Sequence, residues 1–362
     1  MRPTQLKVAV KRAIRLRRPV MIHGSPGIGK SDIVDQARKE LNYEHLIDLR
    51  LSQLDQVDLR GVPSVVKMQV PNPAHTGAKG NKEPATIEQS ITTWNPPEFL
   101  PNLPKTVLFL DEINSASPGV MAAAYELILN RRVGKHTLPP DCAIVCAGNL
   151  ATDFAMVNAM PSALKNRMTH LTLDVNNDDW CEWAIGAGIH ESVIAFLRFR
   201  PALLNEFDQG NKTKESKGKA RNMREAQAFA TPRTWQIMSE FVADSIEPDI
   251  EYETYQGIIG EAAAAEFVGF QKYYRSLPNL DQVLMNPKTA KVPTEPATLY
   301  ALSTGLAARA TPDNMERVIQ YIERIPKEFQ VLTVRDCTLR NQDNAFTQAF
   351  NNWSVANADL IS

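Results

Sequence analysis

Apolar positions follow two different rhythms along this chain. In the first half they gather into short runs, free of carboxylates, lysine and arginine in all but the second: Pro19-Val20-Met21-Ile22, Glu44 to Leu51, Thr106-Val107-Leu108-Phe109-Leu110, Cys142 to Ala147, and Thr169 to Leu173. Each is too short for a helix and long enough for a buried strand. Between them the apolar residues fall at helical spacing. Leu6, Val10, Ala13 and Ile14 mark a first helix, Ser31 to Ala37 can start another, and Val120, Ala123, Ala124, Leu127 and Ile128 mark one over Pro118–Asn130. Strands alternating with helices predict an α/β fold, a five-stranded parallel sheet with helices on both faces.

From Asn176 onward helical patterns dominate. Thr231-Pro232-Arg233-Thr234-Trp235 opens one helix, with Thr231 as N-cap and proline at the first position. Residues 277–298 carry Pro278, Pro287, Pro293 and Pro296 and predict a linker, with a last helical region from about Thr298 to the end. The expected division is an α/β core over 1–175, a helical domain over 176–276 and a C-terminal helical region over 277–362. No internal repeat is visible.

Three stretches break the rhythm. Residues 62–104 are proline-rich and weakly periodic, and a structureless stretch of that length is unusual inside a compact domain. They predict an inserted hairpin and functional loop. Arg131 to Pro140 predicts a short hairpin around Gly134. Gly210 to Arg224 is polar, with Lys212, Lys214, Lys217, Lys219, Arg221 and Arg224, and predicts a loop, with a nucleic-acid contact as the alternative.

The chemistry is concentrated at the ends of the predicted strands. His23-Gly24-Ser25-Pro26-Gly27-Ile28-Gly29-Lys30-Ser31 reads G-x-x-x-x-G-K-S, directly after a strand and directly before a helix. Glycines let successive backbone N–H groups face a phosphate chain, and the helix N-terminus adds partial positive charge at the same point. Gly24, Ser25, Pro26, Gly27, Ile28 and Gly29 would form the cradle. Lys30 would bridge the β- and γ-phosphates and the Ser31 hydroxyl would ligate Mg²⁺. A glycine turn with a stray lysine is the bland alternative, and the strand–loop–helix context weighs against it. A second motif follows where a charge-free strand closes in Asp111-Glu112. Asp111 would hold Mg²⁺ through water, and Glu112 would orient and deprotonate the attacking water. Asn149, after the next strand, is placed to set an amide between this acid pair and the γ-phosphate.

Composition narrows the partners. The 362 residues, 43% apolar and 22% charged, are ordinary for a globular protein with a large core. A formal net charge of −1 argues against wholesale nucleic-acid binding. Cys142, Cys146, Cys181 and Cys337 lack a secreted spacing and predict a reducing, cytoplasmic setting. Cys142 and Cys146 read as strand core. No apolar stretch of about 18 residues lacks charge, so no membrane span is expected. The basic residues Arg2, Lys7, Lys11, Arg12, Arg15, Arg17 and Arg18 read as the solvated face of the first helix.

With these motifs in place, residues 1 to about 275 resemble the AAA+ ATPases. Val107-Leu108-Phe109-Leu110-Asp111-Glu112-Ile113-Asn114 matches that family's Walker B motif, and Asn149 its sensor 1. Arg167 stands where the family places its arginine finger and Arg233 where it places sensor 2. The family often reads Asp-Arg-Phe where this chain has Asn166-Arg167-Met168, so Arg131 and Arg132 remain alternatives for the finger. The long insert and the Arg-Arg-Val-Gly-Lys hairpin look most like the MoxR and dynein-related branch. The resemblance implies ATP and Mg²⁺, a hexameric ring with Arg167 reaching a neighbour's γ-phosphate, and chaperone-like remodeling with a von Willebrand A-domain partner. A nucleic-acid motor or restriction-type NTPase of the same broad branch is the alternative.

Overall fold

The computed structural model describes residues 1–75, 84–150, 158, 160–206 and 227–361. It forms two compact units. One comprises Met1, Gln5–Gly24 and Lys30–Leu173; the other comprises Arg2–Thr4, Ser25–Gly29 and the chain from Asp174 on.

The first unit is built on a five-stranded parallel sheet. Its strands are β1 (Val20–His23), β2 (His45–Arg50), β5 (Thr106–Asp111), β8 (Ala143–Gly148) and β9 (Thr169–Thr172), in the spatial order β2-β5-β8-β1-β9. Every pairing is parallel. Val107 to Leu110 and all of β8 are buried, which requires cover on both faces of the sheet, since neighbouring side chains point to opposite sides. The edge strands are less buried: β2 is mostly half-buried and β9 mostly exposed, and both carry polar residues among apolar ones.

Helix α1 (Pro3–Leu16) buries Leu6, Val10 and Ile14, the stripe its spacing predicts. Two of its basic residues are not merely solvated: Lys7 and Lys11 both pair with Glu40 at the end of α2 (Lys30–Glu40). The short helix α3 (Gln56–Arg60) opens with a capping box between Asp55 and Asp58. Helix α4 (Pro118–Asn130) starts as expected, with the Ser117 hydroxyl accepting from Val120 N and proline at its first turn. A one-turn helix, α5 (Ser162–Lys165), precedes β9. Cys142 and Cys146 are buried, and burial pushes the Cys142 thiol up to about 11, so these cysteines are inert core.

The insert is a hairpin of β3 (Val62–Pro71) and β4 (Thr86–Asn95), paired from Val62↔Asn95 to Pro71↔Thr86. Val62, Val65, Val66, Met68, Ile87 and Trp94 are exposed on it. Its charged pair is Lys67–Glu88 at 2.7 Å. A second, two-residue hairpin joins β6 (Arg132–Val133) to β7 (His136–Thr137) around Gly134. Lys79 and Lys82 of the insert, and the basic loop from Lys212 to Arg224, lie outside the described residues.

In the second unit, α6 (Asn177–Gly186), α7 (Glu191–Phe199) and the helices Pro232–Ala243, Glu251–Ile259 and Glu261–Arg275 enclose Phe196, Trp235, Tyr255 and Phe267. These rings meet edge-on or tilted, with centroids 5.1–5.6 Å apart. Thr231 caps its helix as the sequence indicates, in a capping box with Thr234. A further cluster gathers Leu302, Leu306, Val318, Tyr321, Ile322 and Cys337. Arg198 of α7 forms a bidentate pair with the fully buried Asp336.

The proline-punctuated stretch departs from the linker expected there. Leu280–Met285 is a helix, and its N-cap Asn279 accepts from Asp281 N at 2.9 Å and Gln282 N at 3.2 Å. The next helix begins at Pro296 rather than Thr298. Pro278 and Pro287 flank the short helix without interrupting it, and Pro296 sits at a first helical position, where proline costs no hydrogen bond.

Candidate functional site

The strand ends decide what this molecule can do. In an open parallel sheet ligands bind outside the carboxyl ends of the strands, where consecutive connections diverge. From β1 the chain leaves across two intervening strands to β2, and from β8 it crosses β1 to reach β9. The carboxyl ends of β1, β5 and β8 therefore flank the natural binding crevice.

At the end of β1 the chain turns through Gly24–Gly29 into α2. Gly27 and Gly29 adopt φ of 75° and 88°, the left-handed conformations that a phosphate-cradling loop needs and that side chains resist. Lys30 is only 8% exposed. Its ammonium donates to Gly24 O at 2.6 Å and to Asn149 Oδ1 at 3.2 Å. Gly24 N in turn donates to Gly148 O at 3.3 Å, which fastens the start of the loop to the end of β8. Both of these acceptors are neutral oxygens, weaker partners for an ammonium than a charged phosphate oxygen. Within the second unit, Arg233 N donates to Gly27 O at 3.1 Å, while the Arg233 side chain is exposed.

β5 delivers Asp111 at its last position, and Glu112 follows with φ of 55°. A left-handed backbone at a non-glycine residue is strained, and such strain gathers at functional sites. Glu112 N donates to Asp111 Oδ1 at 2.8 Å, and one Glu112 carboxylate oxygen accepts from the Ser52 hydroxyl. Asp48 of β2 is pushed above the ordinary carboxylate range, first by burial and then by the charge of Asp111, with Arg50 partly offsetting both. Asn149 is held from below: Asn114 Nδ2 donates to its carbonyl at 2.7 Å. The structure thus brings together Lys30 and Asn149, and fixes Asp111 and Glu112 at the end of the neighbouring strand.

The arginines separate into two kinds. Arg131 is committed to its own hairpin, donating to Pro139 O at 2.9 Å and Cys142 O at 2.6 Å. Arg132 lies 3.8 Å from Glu126. Arg167 is exposed and has no ion pair among the described residues. An arginine acting on another molecule needs that freedom.

No family model matches this chain, and no curated protein does. Among solved structures it is similar to a mutant of RuvB from Thermotoga maritima, with a TM-score of 0.38 and 16% identity over 84% of this chain and 80% of that one. It is also similar to NtrX of Brucella abortus in complex with ADP, with a TM-score of 0.38 and 12% identity over 95% of this chain and 64% of that one. Overlaps this loose carry no argument; the fold stands on its own sheet order and buried strands.

Two site residues, Ser52 and Asp48, escape a reading of the sequence, and a third, Asn114, is read there only as the end of a motif. Ser52 follows the second strand, and only the pairing of β2 with β5 brings it to Glu112. Asp48 meets Asp111 for the same reason. Asn114 lies three residues past Asp111, a spacing that marks it as a neighbour of the motif without assigning it a partner. Among the described residues no group of three or more His, Cys, Asp or Glu side chains is arranged to hold a metal. A metal ion here would be held by Ser31 and Asp111 together with phosphate oxygens and water, the usual surroundings of Mg²⁺. No helix is long and apolar enough to cross a membrane among the described residues.

Proposed function

We propose that this chain is an AAA+ ATPase of the MoxR-like branch that binds and hydrolyses ATP and works as a homo-oligomeric ring, a hexamer, to remodel or assemble a protein complex. The observation that carries the reading is the Lys30–Asn149 contact. It ties the glycine loop to the end of β8, beside the strand that presents Asp111 and Glu112. A glycine turn with a stray surface lysine would not bury that lysine against a polar strand end.

Each residue then has one task. The loop N–H groups and Lys30 hold the β- and γ-phosphates, with Lys30 exchanging a neutral carbonyl for a charged oxygen. Ser31 and Asp111 would hold Mg²⁺, which would supply positive charge beside the phosphates. Glu112 takes the proton of the attacking water, and Asn149 orients that water against the γ-phosphate. Arg167 reaches a nucleotide held by the next subunit, where a trans arginine stabilises the charge of phosphoryl transfer. Arg233 serves the nucleotide from the first turn of the Pro232–Ala243 helix. In this reading 1–175 is the nucleotide domain, 176–276 the lid, and 277–362 a partner-binding or ring-stabilising region.

The net charge of −1 supports a protein client over a nucleic acid. The test is direct titration of ATP onto Lys30→Ala. Losing a buried charge-assisted contact weakens binding by about a hundredfold or more; unchanged affinity contradicts the proposal. Affinity capture from a lysate with ATP-loaded Glu112→Gln then separates the client classes. A stoichiometric protein, such as one with a von Willebrand A domain, supports remodeling; ATP-dependent DNA or RNA without a protein contradicts it.

A further inference from the structure

His23 and His170 have no part in the scheme above, yet they form the most specific side-chain arrangement near the glycine loop. His23 is the last residue of β1, next to Gly24, and His170 is the second residue of β9. The two strands are parallel neighbours, with Met21 opposite His170 and His23 opposite Thr172. The imidazoles meet edge to edge, nearly coplanar, with centroids 5.3 Å apart and planes inclined by 18°, and His23 Nε2 lies 2.9 Å from His170 Nδ1. The other His170 nitrogen, Nε2, lies 3.0 Å from the carbonyl oxygen of Lys165.

Hydrogen-bond logic fixes the direction of this chain. A carbonyl can only accept, so His170 Nε2 carries a proton and donates it to Lys165 O. In the neutral ring Nδ1 must then accept, and His23 Nε2–H donates to it. Lys165 closes α5, whose last carbonyls have no partner within the helix. His170 supplies one from five residues downstream. The turn between them contains Arg167, whose N–H bonds to Leu164 O at 3.0 Å. Leu164 and Met168, on either side, are anchored in the core, and Lys165, Asn166 and Arg167 between them are exposed.

We infer that His170 is a positioning residue for Arg167, and that His23 couples this turn to the phosphate loop of the same subunit. The inference rests on the proposed trans role of Arg167. It adds a physical route: a shift of Gly24 when the loop takes up or releases phosphate is transmitted through two imidazoles to the arginine offered to the next subunit. The two rings act on the orientation of Arg167 and not on nucleotide affinity.

The test uses the full chain and four variants. His170→Phe keeps an aromatic ring at this position and removes both hydrogen bonds. His170→Gln keeps an N–H donor at the reach of Nε2. Arg167→Ala and the double variant His170→Phe/Arg167→Ala close a cycle. Steady-state ATPase rates and ATP affinity by titration are measured on each. The expected result is a kcat about three- to tenfold lower in His170→Phe, with ATP affinity within about twofold of wild type. His170→Gln restores most of the rate, and the Phe substitution costs nothing further once Arg167 is absent. An equal additional loss in the Arg167→Ala background, or a changed affinity with unchanged kcat, overturns the inference. If the wild type hydrolyses ATP and Arg167→Ala is impaired while His170→Phe is not, only the histidine relay fails. Full turnover in Arg167→Ala, or none in wild type, removes the parent reading and the relay with it.

Discussion

β5 and the β3–β4 ribbon lie in the same unit and are both made of paired strands, yet their environments are opposites. Val107 to Leu110 are wholly buried, and the strand carries no charge before its end, where Asp111 is followed by Glu112. The ribbon is longer, ten residues on each side, and is exposed along most of its length. Its Val66, Met68 and Val70 share one face with Ile87 and Ile91, as side chains two apart on one strand and directly opposite on its partner must. A strand buried on both faces fixes atoms for chemistry. A two-stranded ribbon standing alone is marginal in water, so its apolar residues contribute little to the stability of the chain that carries them.

The largest expected contrast is in stability. Phe109→Ala removes a fully buried ring and costs roughly 3–5 kcal/mol, whereas Val66→Ser on the ribbon changes unfolding free energy by no more than about 0.5 kcal/mol. Urea unfolding of both variants measures this directly, and similar losses would erase the distinction between scaffold and appendage. A smaller effect is expected at the acid pair. Ser52 donates to the Glu112 carboxylate and occupies one of its oxygens, so Ser52→Ala frees that oxygen for a water and raises basal ATP turnover by about two- to fivefold. A lower rate would instead make Ser52 an aid to Glu112.

The smallest effect concerns pH. His23 is held below the usual histidine value by burial, then by His170 and Lys30. The unfolded chain therefore takes up its proton at a higher pH than the folded one. The neutral imidazole's contribution is present above about 6.5 and is lost as pH falls through that value toward the lower folded one. His23→Gln flattens that part of the stability profile between about pH 7 and 5; an unchanged slope would place the titration elsewhere.

The same contrast explains what could be read without coordinates. The buried strands announce themselves because a charge-free apolar run has few other uses, and the glycine loop because its spacing serves one geometry. The insert was legible as a hairpin from its length and weak periodicity. The helix Leu280–Met285 was hidden by prolines that bound it. Long-range pairings were not legible at all. Ser52 meets Glu112 across 60 residues and His23 meets His170 across 147, and both depend on which strands lie side by side. Local pattern carries period and motif; strand order arises only when the whole sheet closes its core.

The most direct measurement is of Glu112→Gln. ATP affinity by titration and single-turnover hydrolysis are followed on the same preparation. Loss of the proposed base at the end of β5 should leave ATP binding within about twofold of wild type and slow hydrolysis by about a hundredfold or more. Hydrolysis at the wild-type rate would contradict the assignment of this strand end as the catalytic one.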